Sequence, residues 1–439
     1  MKRMDGLDKP ACVRLADADV SALFRTGLEY NPPARGMWNI VHTGMLVPGA
    51  QEIFACAQGC LRGVILTAAE MLELERMSWI SVSESDMFDG TLESDVIDGV
   101  CEILSKLDRR PPAVLLYLSC IHLFAGVDFD AIISELSRRE PDIAFVDCYM
   151  TPTMRQTVSP VMKMSAQIYG ALRPRELDAN AVGLVGSDRP TDEDSELVRI
   201  IRGSGRRLLD ITLCKSYEEY QTLSESSINI STVPTGRLAG DELERRFGAR
   251  HLHLPARYDF AAIDDNYKVL CGALGTELPD FSKEKESALA ALAKAQEVIG
   301  DTPVAVDYTA VTRPFEFALL LAENGFNVKH IVADTAAGEE EAFERLRSLS
   351  PDITVWSAVN VNMLDMPEQE HGHILAVGQK AAYFFSTDNF VDIVVGGGYY
   401  GFSGIRKLAG LMCEAFEEPK DRRTVIQHKG WGCTCCAQI

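Results

Sequence analysis

At 439 residues and 46% hydrophobic, the chain is long enough for two or three domains, each with its own core. A net charge of −21 argues against a nucleic-acid partner, because such partners are held chiefly by Lys and Arg neutralising phosphates. The longest apolar stretch, Ala113 to Gly126, falls short of the roughly 18 residues that span a bilayer, and the first twenty residues lack the apolar core of a secretory signal. These features predict a cytoplasmic protein with no membrane association.

Twelve cysteines in such a chain are expected to stay reduced and available as thiolates, a usage that suits an anaerobe's cytosol. In chain order the first chemically suggestive residue is His42, in Ile-Val-His-Thr-Gly, just ahead of a glycine-rich segment. Cys56 and Cys60 follow, four residues apart, a spacing that on a helix places both sulfurs on one face, with Gly59 and Gly63 leaving room for a bulky group. For a single cysteine the ordinary alternative is burial as a small hydrophobe.

From Val114 onward, short β-branched apolar runs alternate with stretches rich in Ala, Leu, Glu and Arg, the pattern of repeated βα units around parallel sheets. Strands are predicted at residues 113–118, 143–147, 181–185, 208–212, 228–232, 304–307, 330–333, 353–356 and 392–395. Cys120 and Cys148 fall at the ends of the first two, so they are expected to be neighbours at the carboxyl edge of one sheet, where ligands gather in open α/β folds. His122 lies beside Cys120, either as a proton donor or as a satisfied core histidine.

Breaks near Arg173–Asp178 and Glu277–Lys283 divide the chain into three doubly wound α/β domains: 1–175 with the cysteines, 176–280 in the middle, and 281–439 with a cysteine-rich tail. Gly396-Gly-Gly398 follows a predicted strand but matches neither a dinucleotide fingerprint nor a Walker A loop, so close helix-sheet packing is its expected use and ATP hydrolysis by this chain is not expected. The acidic His371-Gly-His373 segment reads as a solvated loop rather than a metal site. The tail, with His428, Cys433, Cys435 and Cys436, could serve as a thiol arm. No local Ser-His-Asp or Cys-His hydrolase signature occurs.

The segments Ile40-Val-His42-Thr-Gly44 through Val47-Pro-Gly49, Ser119-Cys120 followed by Gly126-Val-Asp128, and Ser226-Ser-Ile-Asn-Ile-Ser231 leading to Phe247-Gly248 carry a family likeness. In them the chain resembles the catalytic-component subunits of nitrogenase and their protochlorophyllide and chlorophyllide reductase relatives. The resemblance implies three Rossmann-like domains and a cluster near a subunit interface. It also implies electrons delivered by a separate ATP-hydrolysing iron protein, in a homodimer or a heterodimer with a related subunit.

Carried over by residue, Cys120 occupies the family's cluster-cysteine position. Where the family's histidine-glycine loop ends in a ligand cysteine this chain has Ala50, and its thiols come six and ten residues later at Cys56 and Cys60. Cys12 corresponds to a further upstream cysteine. Val233 stands where nitrogenase proper anchors its molybdenum-iron cofactor, so neither that cofactor nor dinitrogen reduction is expected.

The resulting expectation is a nitrogenase-like oxidoreductase subunit binding a 4Fe-4S iron-sulfur cluster through Cys56, Cys60 and Cys120, with a fourth ligand from Cys12, Cys148 or a partner. It would relay low-potential electrons to a substrate, with His42 and His122 as candidate proton donors. The alternatives are a non-catalytic scaffold or carrier for cluster assembly, or a metal-free small-molecule binding protein.

Overall fold

The run Ala113–Ser119 forms a strand, β4, in which all seven residues are buried. Such a run, with no polar alternation, is what a parallel strand covered on both faces requires. Successive side chains enter opposite cores: Ala113, Leu115 and Tyr117 pack with Phe54 and Val146, whereas Val114, Leu116 and Leu118 pack with Ile53 and with Val96, Val100, Ile132 and Leu136. Those last four lie on the amphipathic helices Leu92–Lys106 and Phe129–Arg139.

β4 sits in a parallel sheet with β2 (Gln51–Cys56), β3 (Met77–Ser81) and β5 (Ala144–Met150), in the order β3-β2-β4-β5. A second parallel sheet repeats that winding with β6 (Asp178–Leu184), β7 (Arg207–Asp210), β8 (Ser226–Ser231) and β9 (Arg250–His253), ordered β7-β6-β8-β9. Both sheets belong to one compact unit, made of the described residues within 40–190 and 205–255.

The other unit, the described residues within 10–34, 191–204 and 256–426, is built on a six-stranded sheet. Its strands are β1 (Cys12–Arg14), β10 (Val304–Asp307), β11 (Val328–Val332), β12 (Thr354–Trp356), β13 (Leu375–Val377) and β14 (Phe390–Val391). The order is β1-β12-β11-β10-β13-β14, parallel except for β1, which runs antiparallel to β12. The structure is a computed structural model that describes residues 10–25, 27–30, 32, 34, 40–150, 158–364, 366 and 372–426. His371, His428 and the Cys433-Cys435-Cys436 tail lie outside the described residues.

In each sheet the strand that comes first among its parallel members is flanked by its successor on one side and by a later strand on the other. The chain therefore reverses its direction of winding between β2 and β4, between β6 and β8, and between β10 and β13. Ligands in open α/β sheets bind outside the carboxyl ends of the strands at such reversals.

Eight of the nine predicted strands form. The expectation at 392–395 is corrected: β14 ends at Val391, and Val395–Gly398 is a tight turn with positive φ at Val395 and at all three glycines. Val395 N and Gly396 N donate to Thr309 O (2.7 Å) and Ala310 O (2.8 Å), so the backbone bonds that a strand would offer a neighbour go to the loop after β10 instead. Among the described residues no helix is long and apolar enough to cross a membrane.

Candidate cluster site

The reversal between β2 and β4 is where the thiols gather. β2 is buried along its whole length and ends at Cys56; the chain passes Ala57 and enters the helix Gln58–Glu70, whose first turn carries Cys60. A common helix for Cys56 and Cys60 is therefore not what forms, because Gln51–Ala55 pairs with β3 and β4 and holds the chain extended through Cys56. The turn into the helix nevertheless returns Cys60 towards Cys56, with Cys60 N donating to Ala57 O (2.9 Å).

Cys120 arrives from the adjacent strand. Ala55 lies opposite Leu118 in the register, β4 closes with Ser119, and Cys120 opens the short helix Cys120–Phe124. Cys56 lies close enough to the other two to feel them: burial, then Cys60, then Cys120 push its thiol up to about 12. Cys56 is buried, Cys120 is intermediate and Cys60 is exposed, so the trio runs from the core to the surface. Built side-chain carbons at Gly59 and Gly63 would meet nothing within 4 Å, leaving that face of the helix open.

Cys148 is placed differently. It lies within β5, two residues before the strand's last, opposite Tyr117 and 1% exposed. Burial first, then Asp147 and Glu52, raise its thiol well above the ordinary range. Below the trio, Glu52 is fully buried, and neither carboxylate oxygen has a hydrogen-bond partner among the described residues. Burial pushes its acid well upward, so Glu52 is a neutral carboxylic acid beside Tyr117. Cys12 lies on β1, in the other unit, and is exposed.

His122 is 0% exposed, its Nδ1 lies 3.3 Å from Ser119 Oγ, and burial lowers its pKa, so it is a neutral imidazole under the Cys120 turn. His42 lies on the short helix Ile40–Gly44 and is half-buried.

Among the described residues, no three His, Cys, Asp or Glu side chains group in a way that holds a single metal ion. An iron-sulfur cluster asks for something else, thiols distributed around an inorganic core. Soft sulfur donors at the end of a buried strand, the start of the next helix and the start of a neighbouring turn fit that requirement.

The Nitrogenase component 1 type Oxidoreductase family matches residues 41–417. This chain belongs to that family. A solved structure of nitrogenase Cp1 at pH 6.5 is 15% identical in sequence and superposes with a TM-score of 0.67, covering 91% of this chain and 96% of that one. Nitrogenase Cp1 at pH 5 gives a TM-score of 0.58 at 12% identity, covering 93% and 94%. None of the curated proteins matches. The mixed α/β fold with parallel sheets is thus that of nitrogenase component 1, a family of oxidoreductases that carry metal clusters and work with an iron protein.

One polar constellation escaped the sequence reading: Ser231, His251, His253 and Asp241 meet where β8, β9 and the helix Arg237–Phe247 come together. The only signal was the alternation His251-Leu-His253 after Gly248, which places both imidazoles on one face of a strand.

Proposed function

We propose that this protein is a nitrogenase-like reductase subunit that holds a 4Fe-4S cluster through Cys56, Cys60 and Cys120. It receives low-potential electrons from an ATP-hydrolysing iron protein and passes them to a substrate other than dinitrogen. The observation that supports this reading is the convergence of Cys56, Cys60 and Cys120 at the reversal between β2 and β4. When bound, such a cluster supplies one-electron transfer at a potential tuned by burial and hydrogen bonding.

The chain's own residues set the terms of that site. Deprotonation of Cys56 is opposed by burial, so its thiolate forms only as a metal ligand, and the neutral Glu52 leaves the charge of the buried wall beneath unchanged. Val233, buried two residues beyond β8, supplies no thiol for a second cofactor and supports a substrate other than dinitrogen. His42 and His122 are the proposed proton donors on the histidine-glycine and Cys120 turns.

A fourth ligand is proposed from Cys12, Cys148 or a partner subunit, in a homodimer or heterodimer. Phe88, 88% exposed after β3, and Phe124, 72% exposed after β4, support a covering partner, since large apolar side chains left bare beside a site mark contact surfaces. The proposed setting is the cytoplasm.

The test is anaerobic purification and reconstitution, with iron and sulfide quantitation and electron paramagnetic resonance of dithionite-reduced protein. About four irons per cluster in the wild type, lost in Cys56→Ala, Cys60→Ala and Cys120→Ala, is the expected result. Protein that stays metal-free after reconstitution would overturn the reading and leave a binding protein. Deletion of Gly432–Ile439 leaves cluster and redox activity intact in an electron relay and abolishes transfer in a cluster carrier.

A further inference from the structure

Three helices of the unit built on the six-stranded sheet, Glu196–Gly203, Ser282–Ile299 and Gly401–Glu417, border an open cleft of about 580 Å³. That volume lies within the roughly 300–1,000 Å³ of small-molecule sites. The deepest of its lining side chains is Glu196, 0% exposed, whose Oε2 accepts from Tyr267 Oη at 2.9 Å and whose Oε1 accepts from Ser403 N at 3.1 Å. These bonds tie the first helix to the third, so the cleft has a fixed base.

The acidic groups that line the cleft are already engaged. Glu193 lies 3.1 Å from Arg202, Asp194 2.9 Å from Lys407 and Glu284 3.0 Å from Arg199, which also lies 3.4 Å from Glu196. Two cations on its walls are not. Lys283 and Arg406 come from different helices, are exposed, and make no ion pair or hydrogen bond among the described residues. Each influences a carboxylate, Lys283 that of Asp280 and Arg406 that of Asp194, but Ser282 and Lys407 hold those oxygens at 2.6 Å and 2.9 Å. Ser287 lines the cleft four residues after Lys283, on the same face of their helix. What the cleft lacks is therefore an anion.

We propose that this cleft is a binding site for a small phosphorylated molecule, whose phosphoryl group is held between Arg406 and Lys283 with Ser287 as a neutral donor. A phosphate monoester carries about −1.5 to −2 charges at neutral pH on three acceptor oxygens, enough for both cations at once. A single carboxylate carries one charge and leaves one cation unmet. The guanidinium of Arg406 supplies the two-pronged donor that phosphate oxygens accept, and Lys283 supplies a point charge. The rest of the cleft offers the Glu193 and Glu284 carboxylates, which only accept hydrogen bonds and so suit hydroxyl groups, the pattern of a sugar phosphate. Nothing in this site depends on the thiol trio.

The test is isothermal titration calorimetry of the full-length protein at about 0.15 M salt, where long-range attraction is screened, with ribose 5-phosphate, ribose and gluconate as probes. No cluster is needed. The expected result is saturable one-to-one binding of ribose 5-phosphate and none of ribose or gluconate. Arg406→Gln and Lys283→Gln should each weaken that binding by about tenfold or more, and Arg406→Lys should fall between, because it keeps the charge and loses the fork. Lys106→Gln, an exposed change in the other unit, should leave it unchanged. Both cleft cations are exposed, and circular dichroism checks that each variant keeps the wild-type fold. Absence of ribose 5-phosphate binding, equal binding of gluconate, or equal weakening by Lys106→Gln would overturn the site.

Discussion

Cys56 shows how a single thiol's surroundings prescribe the conditions of metal loading. Burial and the two neighbouring cysteines push its pKa up to about 12, so the metal-free protein holds it as a thiol at any physiological pH. The neutral form is the one the fold favours; its contribution to stability is complete below the ordinary thiol value of 9.0 and fades as pH rises towards about 12. Ligation demands the thiolate and expels the proton, so cluster loading should strengthen with pH, by up to about tenfold per unit for each thiol that ionises. Loading measured by iron content at limiting iron should be greater at pH 8.5 than at pH 6.5, and a pH-independent yield would argue against thiolate ligation. The cysteine types and their approximate neighbourhood were legible in the sequence. The fate of Cys148 was not, because whether a thiol is aimed at a crevice or into a core depends on the strand's register, and two residues of register decide it.

Helix Gly401–Glu417 illustrates the same dependence at the scale of one element. Gly401 has φ +71°, and a side-chain carbon there would overlap Tyr267 Oη and the Glu196 carboxylate. Those two groups are bonded to each other at 2.9 Å, and Ser403 N donates to Glu196 Oε1 at 3.1 Å, so the start of the helix is tied into a buried polar knot. Gly410, on the same helix, is exposed and meets nothing within 4 Å. Gly401→Ala should therefore destabilise by about 2–4 kcal/mol, through left-handed strand-to-helix backbone strain and overpacking. Gly410→Ala should stabilise by about 0.5–1 kcal/mol through lower unfolded-state entropy and better helix propensity. Chemical denaturation of the two variants checks both signs. Periodicity alone could not separate these glycines, since both fall in one helical pattern; only the neighbours of each position do. β2 eluded the sequence reading for a related reason: Gln51 and Glu52 look like a polar start, yet both are buried, Gln51 bonded to Ser78 Oγ at 3.0 Å and Glu52 neutral.

For the whole molecule, the division of the chain into two units has a measurable consequence. The thiol trio lies in the unit that holds the first two sheets, so ligand binding to the native state stabilises that unit by mass action. Hydrogen exchange should therefore show protection gained on cluster loading in β2, in Gln58–Glu70 and in Cys120–Phe124. β10 to β14 in the other unit should exchange as before. Equal protection of both units would show that they unfold as one cooperative body, and protection confined to β10–β14 would place the ligand elsewhere.

By itself the sequence determined the α/β class, the parallel sheets, eight strand positions and the family, because these follow from local periodicity and short motifs: a covered parallel strand needs an unbroken apolar run wherever it sits. The tertiary structure alone decided which polar side chains meet. Strand order places β2 beside β4, and with them Cys56 beside Cys120, across more than sixty residues of chain. It also sets Ser231 opposite His253 and brings Asp241 to His251 across a helix. Such meetings depend on which strands pair and in what register, and neither leaves a mark in the residues between them.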